Sequence, residues 1–221
     1  MSAFLIFFII PMILGFWAQH RVKSTFQRNL QIGVANGMTG AQVARRILDA
    51  NGLNDVPVEL APGSLTDHYD PRSRSVHLSE PVYNSASVAS TAVGAHEVGH
   101  AIQHAQAYSY FRVRSAMFPA VQFASNIWML LLFGGFILGV LQLAYLGVAL
   151  FAIAVLFQLV TLPVEFDASR RAGQQLRDLG LVAANESAGV KSTLTAAAWT
   201  YVAAALASVA MLLYYLSMLR R

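Results

Sequence analysis

At 221 residues, 56% hydrophobic and only 12% charged, the chain carries about half the charge of an ordinary soluble domain, which excludes that class and points to a membrane protein. It has no cysteine, so disulfides and thiolate metal sites are excluded, and any metal must use His, Asp or Glu. The net charge of +4 does not call for nucleic acid, because the Lys and Arg residues cluster beside apolar stretches, as the positive-inside rule requires.

Ala3 to Ala18 is almost wholly apolar and is followed by His20, Arg21 and Lys23. A cleavable signal peptide would begin with positive residues, and only Met1-Ser2 precede the run. The stretch 3–19 is therefore expected to be a retained transmembrane helix, with Pro11 tolerated inside it.

Residues 20–115 are mixed in polarity and long enough for one small domain. Phe26, Leu30, Ile32 and Val34 suggest a short amphipathic stretch. Thr39-Gly40-Ala41-Gln42 is a capping-box pattern, with Val43, Ile47 and Leu48 on one helical face and Asn51-Gly52 as the stop. Val56 to Leu60 reads as a strand that Pro57 confines to a sheet edge. Asp67 to Asp70 and Ser75 to Leu78 flank Asp70-Pro71-Arg72-Ser73, a turn with Pro at its second position. Arg74 to Ser79 stands just before the next helix and could offer an exposed edge to a peptide added as a further strand. An ordinary hairpin packed on that helix is the alternative.

His96-Glu97-Val98-Gly99-His100 follows, in a Pro-free stretch of good helix formers. Two histidines four apart lie on one helical face and can share a zinc ion, and Glu97 is placed to take a proton from a zinc-activated water. A chain of this composition produces H-E-x-x-H by chance only about 0.004 times, so the motif is read as chemistry rather than coincidence.

Arg112 and Arg114 precede an apolar stretch from Ala116 to Leu162, long enough for two spans. These are expected at 123–142 and 144–163, with the turn within Gln142 to Gly147; Gly134, Gly135, Gly139 and Gly147 are candidate close-packing positions or breaks. A charged segment, 164–192, brings in Glu165, Asp167, Arg170 and Arg171, with a polar helix to about Asp178. Residues 194–219 form the last apolar stretch. The nine basic residues nearest the spans (Arg21, Lys23, Arg28, Arg112, Arg114, Arg170, Arg171, Arg177 and Lys191) fall on one side of a four-span topology, which makes that side the cytoplasm; Arg220 and Arg221 fall opposite. The fold class is thus mainly α, a multi-pass membrane protein of about four transmembrane helices with a small α+β zincin-like cytoplasmic domain.

A peptidase site needs three protein ligands and one open position. His104 lies on the same helix as the histidine pair, and three ligands from successive turns of one straight helix do not surround a metal. Glu165 is preferred, at the end of the third span and on the same membrane side as the motif. On a continuous helix His100 would stand about 30 Å from the level of Glu165, so the motif helix must break between Tyr108 and Pro119. Tyr108, Tyr110, His104, Arg170 and Arg171 are candidates to stabilise an oxyanion, and the sequence does not choose among them.

H-E-V-G-H-A-I-Q together with the later E-F-D-A-S resembles the YugP-type membrane zinc metallopeptidases, which are similar in layout to the HtpX and CAAX-protease group. The resemblance covers the chain from its first span to about Asp178. It implies a zinc-dependent endopeptidase acting on protein or peptide substrates, with His96, His100 and Glu165 as ligands of one Zn2+ and Glu97 as catalytic acid/base. The HtpX-like group has Asp four residues after its Glu ligand, where this chain has Ser169; Asp167 could compensate. The alternative from another class is a catalytically silent zinc-binding membrane scaffold. A small transporter is disfavoured because the spans lack a central ionisable residue.

Overall fold

A computed structural model describes residues 5–220. The chain divides into two compact units, one of Met1–Gln19, Ser109–Pro163 and Thr200–Arg221, the other of His20–Tyr108 and Val164–Trp199.

Three helices are long and apolar enough to cross a membrane: α5 (Ser109–Leu138), α6 (Leu141–Asp178) and α7 (Ser187–Leu219). Of the span expected over 3–19, residues 3 and 4 lie outside the described residues; a π-helical turn over Leu5–Ile9 leads into α1 (Ile10–Leu30), whose second half is polar. In the first unit, Trp128, Leu132, Phe151 and Tyr215 form a core, while Leu130, Ile137 and Leu138 are exposed, as expected of helices that meet lipid. The connection between α5 and α6 falls at Gly139-Val140, not within Gln142 to Gly147, so residues 139–142 do not extend the second span. Gly139 takes the turn because its φ of +67° is accessible to glycine. Gly147 serves packing instead: a Cβ there would come within 2.6 Å of the Leu132 backbone nitrogen.

The second unit holds the mixed segment. Its helix α2 (Gly40–Ala50) starts on the reciprocal Thr39/Gln42 capping box and buries Val43, Ile47 and Leu48. Strands β1 (Val58–Ala61), β2 (His68–Asp70) and β3 (Ser75–Ser79) form one sheet in the order β1-β3-β2, with β1 parallel and β2 antiparallel to β3. As Pro57 required, β1 is an edge. Arg74 to Ser79, by contrast, cannot offer a free edge, because β3 is central and both its sides are paired. A short helix α3 (Glu80–Asn84) leads to α4 (Val88–Ala105), which is N-capped by Ser87 and carries the histidine motif.

Helices α2 and α4 meet backbone to backbone. A Cβ on Gly94 would stand 2.7 Å from the Gly40 carbonyl oxygen, so no other residue fits there without moving a helix. Val98 and Ile102 on α4 join Ile47, Leu48, Val76 and Leu78 in the core, together with Ala172 and Leu176 from the polar end of α6. That core fixes two sides of the motif helix. Helix α4 then ends at Ala105 with Gln106 as its C-cap, and Ala107 with φ +51° breaks the chain before α5 begins at Ser109. The break therefore precedes Pro119, which is accommodated inside α5.

Candidate metal centre

The motif helix turns His96 and His100 toward the stretch of α6 that follows Pro163. Their rings stand 4.8 Å apart between centroids and nearly perpendicular, so they do not stack but aim separate nitrogens at one point. That point is the carboxylate of Glu165, whose Oε2 lies 3.3 Å from His96 Nε2 and 3.6 Å from His100 Nε2. Gly99 permits the approach: a Cβ there would come within 2.6 Å of the Ala168 carbonyl oxygen. The unspecified positions of H-E-x-x-H are thus specified by packing, with Val98 in the core and Gly99 against α6.

Each imidazole is oriented from behind. His100 Nδ1–H donates to Gln103 Oε1 at 3.0 Å, and the Gln103 amide nitrogen donates to the Val164 carbonyl at 2.7 Å and to Asp167 Oδ2 at 2.9 Å. His96 Nδ1 lies 3.2 Å from the Ser169 hydroxyl. Gln103 Oε1 can only accept, so His100 carries a proton on Nδ1 and its Nε2 is the nitrogen that would bind a metal; the Ser169 hydroxyl, which can donate or accept, holds the His96 ring with its Nε2 likewise toward Glu165. Arg170 and Arg171 hydrogen-bond Asp167, and the Arg171 guanidinium stands 5.8 Å over the Tyr108 ring. Ser169 thus contacts the first histidine directly, and Asp167 supports the second through Gln103.

Glu165 is buried, lies beyond the apolar stretch of α6, and keeps its charge. Burial alone would raise its carboxyl pKa, but the charge and hydrogen bonds of His100 and His96 more than offset this and hold it well below the usual carboxylate range. The site is therefore built around an anion and two imidazoles.

The donor set fits zinc. The ligand atoms of His96, His100 and Glu165 all lie within 4.8 Å of one another, and among the described residues this is the group of His, Asp and Glu that could hold a metal ion. Two ligands at 2.0–2.1 Å from a tetrahedral ion are roughly 3.3–3.4 Å apart, close to the distances from Glu165 to the two imidazoles. Glu97, next to His96 in sequence, is buried and is not one of the three donors.

Of the other residues singled out from sequence, His104 does not join the triad; its Nδ1 pairs with the Tyr69 hydroxyl at 2.8 Å. Arg170 and Arg171 are engaged by Asp167, and Tyr110 is half exposed on α5. Sequence reading did not single out Gln103 as a positioning residue. Its signal was present, since a polar residue three positions after His100 falls on the histidine face of the helix.

A membrane-associated helical protein with a His-His-Glu cluster on an H-E-x-x-H helix defines a class, and sequence comparison agrees. A family model described as "Putative neutral zinc metallopeptidase" matches residues 4–220, and the chain belongs to that family. It is 52% identical over 212 residues to the "Putative membrane protease YugP" of Bacillus subtilis (strain 168), covering 96% of this chain and 94% of that protein. No solved structure matches it significantly.

Proposed function

We propose that the chain is a membrane zinc endopeptidase that hydrolyses peptide bonds of protein or peptide substrates at the cytoplasmic face of the cell membrane. His96, His100 and Glu165 would hold one zinc ion, and Glu97 would be the general base. The observation that carries this reading is the convergence of Glu165 on two imidazoles 69 and 65 positions away in sequence. A structural role for the motif helix alone does not require that approach.

Bound zinc acidifies water and polarises a carbonyl. The chain's own groups supply the rest. Glu97 takes the proton of the attacking water and returns it to the leaving amine. Gln103 and Ser169 keep both Nε2 atoms directed inward, and burial of Glu165 and His100 limits competing solvent. The positive-inside rule supports the cytoplasmic assignment of residues 20–115 and 164–192: in a four-span reading Arg21, Lys23, Arg112, Arg114, Arg170 and Arg171 would share one side.

The test is zinc content and casein cleavage for the purified full-length protein, Glu165→Ala and Glu97→Gln. Loss of both zinc and cleavage in the first, and of cleavage alone in the second, is the expected pattern. A Glu97→Gln protein that retains full activity would overturn the assignment. Because the chain has no cysteine, single introduced cysteines probed with an impermeant thiol reagent report the topology directly.

A further inference from the structure

A second concave site lies on the same helix. A cavity of about 230 Å³ is bounded by Tyr69 of β2, by Arg74 and Val56, and by Ala101 and His104 of α4. Helical geometry ties it to the motif. His104 is seven residues after Glu97, nearly two full turns, so the two side chains project within about 20° of each other. His104 also stands about 6 Å along the axis from His100, and helical side chains lean back toward the N-terminus. An extended peptide advances about 3.3 Å per residue, so the axial rise from His100 to His104 corresponds to about two residues of a peptide running along the helix.

Its polar groups share one chemistry. Burial raises the pKa of the Tyr69 phenol, and the charge of Arg74 beside it partly offsets that. Burial, and then the Arg74 charge, lower the pKa of His104, which keeps its ring neutral. The Tyr69 hydroxyl and His104 Nδ1 are hydrogen-bonded at 2.8 Å, which ties the two side chains together at the cavity wall. Arg74 already shows the ligand it takes: Asp55 Oδ2 lies 3.3 Å from its Nη2, in an exposed pair that leaves other guanidinium donors available. The residue also sits at φ +56°, a conformation that costs an arginine energy and that aims its side chain from the turn before β3.

Building on the peptidase reading, we propose that the Arg74–Tyr69–His104 cavity is a substrate subsite for a carboxylate, supplied by an acidic side chain near the cleaved bond or by the C-terminus of the peptide. Asp55 competes with the substrate for Arg74.

The test uses full-length zinc-loaded protein in detergent and fluorescein-labelled decapeptides of one parent sequence. One Glu is moved through each position against a Gln counterpart, and each peptide is made as C-terminal acid and as amide. Binding is read by anisotropy with the Glu97→Gln protein, and cleavage with the wild type. A Glu/Gln difference at one position identifies a side-chain carboxylate, and an acid/amide difference identifies the C-terminus. The expected discrimination in Kd is about 10- to 100-fold, the range for a hydrogen bond to a charged group. Adding Arg74→Gln should collapse it toward unity, Arg74→Lys should restore part of it, and Asp55→Asn should widen it. Absence of discrimination, or discrimination that survives Arg74→Gln, overturns the proposal. Where Arg74→Gln does not fold, an unchanged ratio in Asp55→Asn does so instead. Charge discrimination without cleavage by the wild type would sink the peptidase reading and leave the subsite standing; cleavage without discrimination would do the reverse.

Discussion

Replacing Gln103 with Leu tests whether the metal centre is oriented from behind. Gln103 is fully buried and makes three hydrogen bonds: it accepts from His100 and donates to the Val164 carbonyl and to the Asp167 carboxylate. Leucine has nearly the same volume, so the cavity cost is small and the polar loss dominates. Two bonds to neutral partners contribute about 1 kcal/mol each and the bond to the Asp167 carboxylate about 1.5–3 kcal/mol, a loss of about 3–5 kcal/mol in all. Freed from Gln103, the His100 ring can rotate away from Glu165, and zinc affinity should fall about 10- to 100-fold. Competition against a chromophoric chelator measures the affinity, and thermal unfolding with and without zinc measures the stability. A Gln103→Leu protein with wild-type zinc affinity and unfolding midpoint would refute the idea that this side chain positions the second histidine.

Three further outcomes are expected. Gly99→Ala forces a methyl group against the Ala168 carbonyl and pushes α6 outward, so zinc affinity and about 1–3 kcal/mol of stability should be lost together in the same two assays. Ser169→Ala removes one long hydrogen bond to His96 and should weaken zinc less than Gln103→Leu does; a loss as large would mean that the two imidazoles are not supported separately. Burial and the Arg74 charge lower the pKa of His104, so the unfolded chain takes up its proton first on acidification. The stability its neutral ring contributes is whole above the ordinary histidine value of 6.5 and is lost as pH falls through that value toward the folded one. The unfolding midpoint of His104→Asn should therefore drop less between pH 7 and pH 5 than that of the wild type; equal drops would contradict this.

The His96–His100–Glu165 cluster, as a grouping in space, was legible because the chemistry expected of it fixes its spacing. Histidines four positions apart stand about one helical turn apart, and the loss of apolar character after Pro163 exposes Glu165 as a carboxylate without an obvious structural purpose. The capping box at Thr39 was legible for a similar reason, since both halves of its bonding lie within four residues. Strand order was not. Nothing in Val58–Ala61 announces that it will pair in parallel with β3 across a long connection, and that pairing removes the edge Arg74 to Ser79 would have presented. Glycine was equally mute about its purpose. Gly139 turns the chain and Gly147 lets two helices touch, yet only the neighbours in space distinguish them. Gln103 was overlooked because a glutamine that bridges three partners looks, in one dimension, like a glutamine facing water.

The absence of side chains at Gly94 and Gly99 has a consequence for how this protein changes over time. Side chains usually act as adjustable spacers between helices, so neighbouring substitutions can be absorbed by repacking. Here, at Gly94 and Gly99, the motif helix meets the main chain of α2 and α6 directly, and at those two points there is nothing left to compress. Exchange at those two letters, which do no chemistry, therefore has to move a helix, and a designer seeking altered specificity would do better to work outward from the turn bearing Arg74 than inward from the histidines.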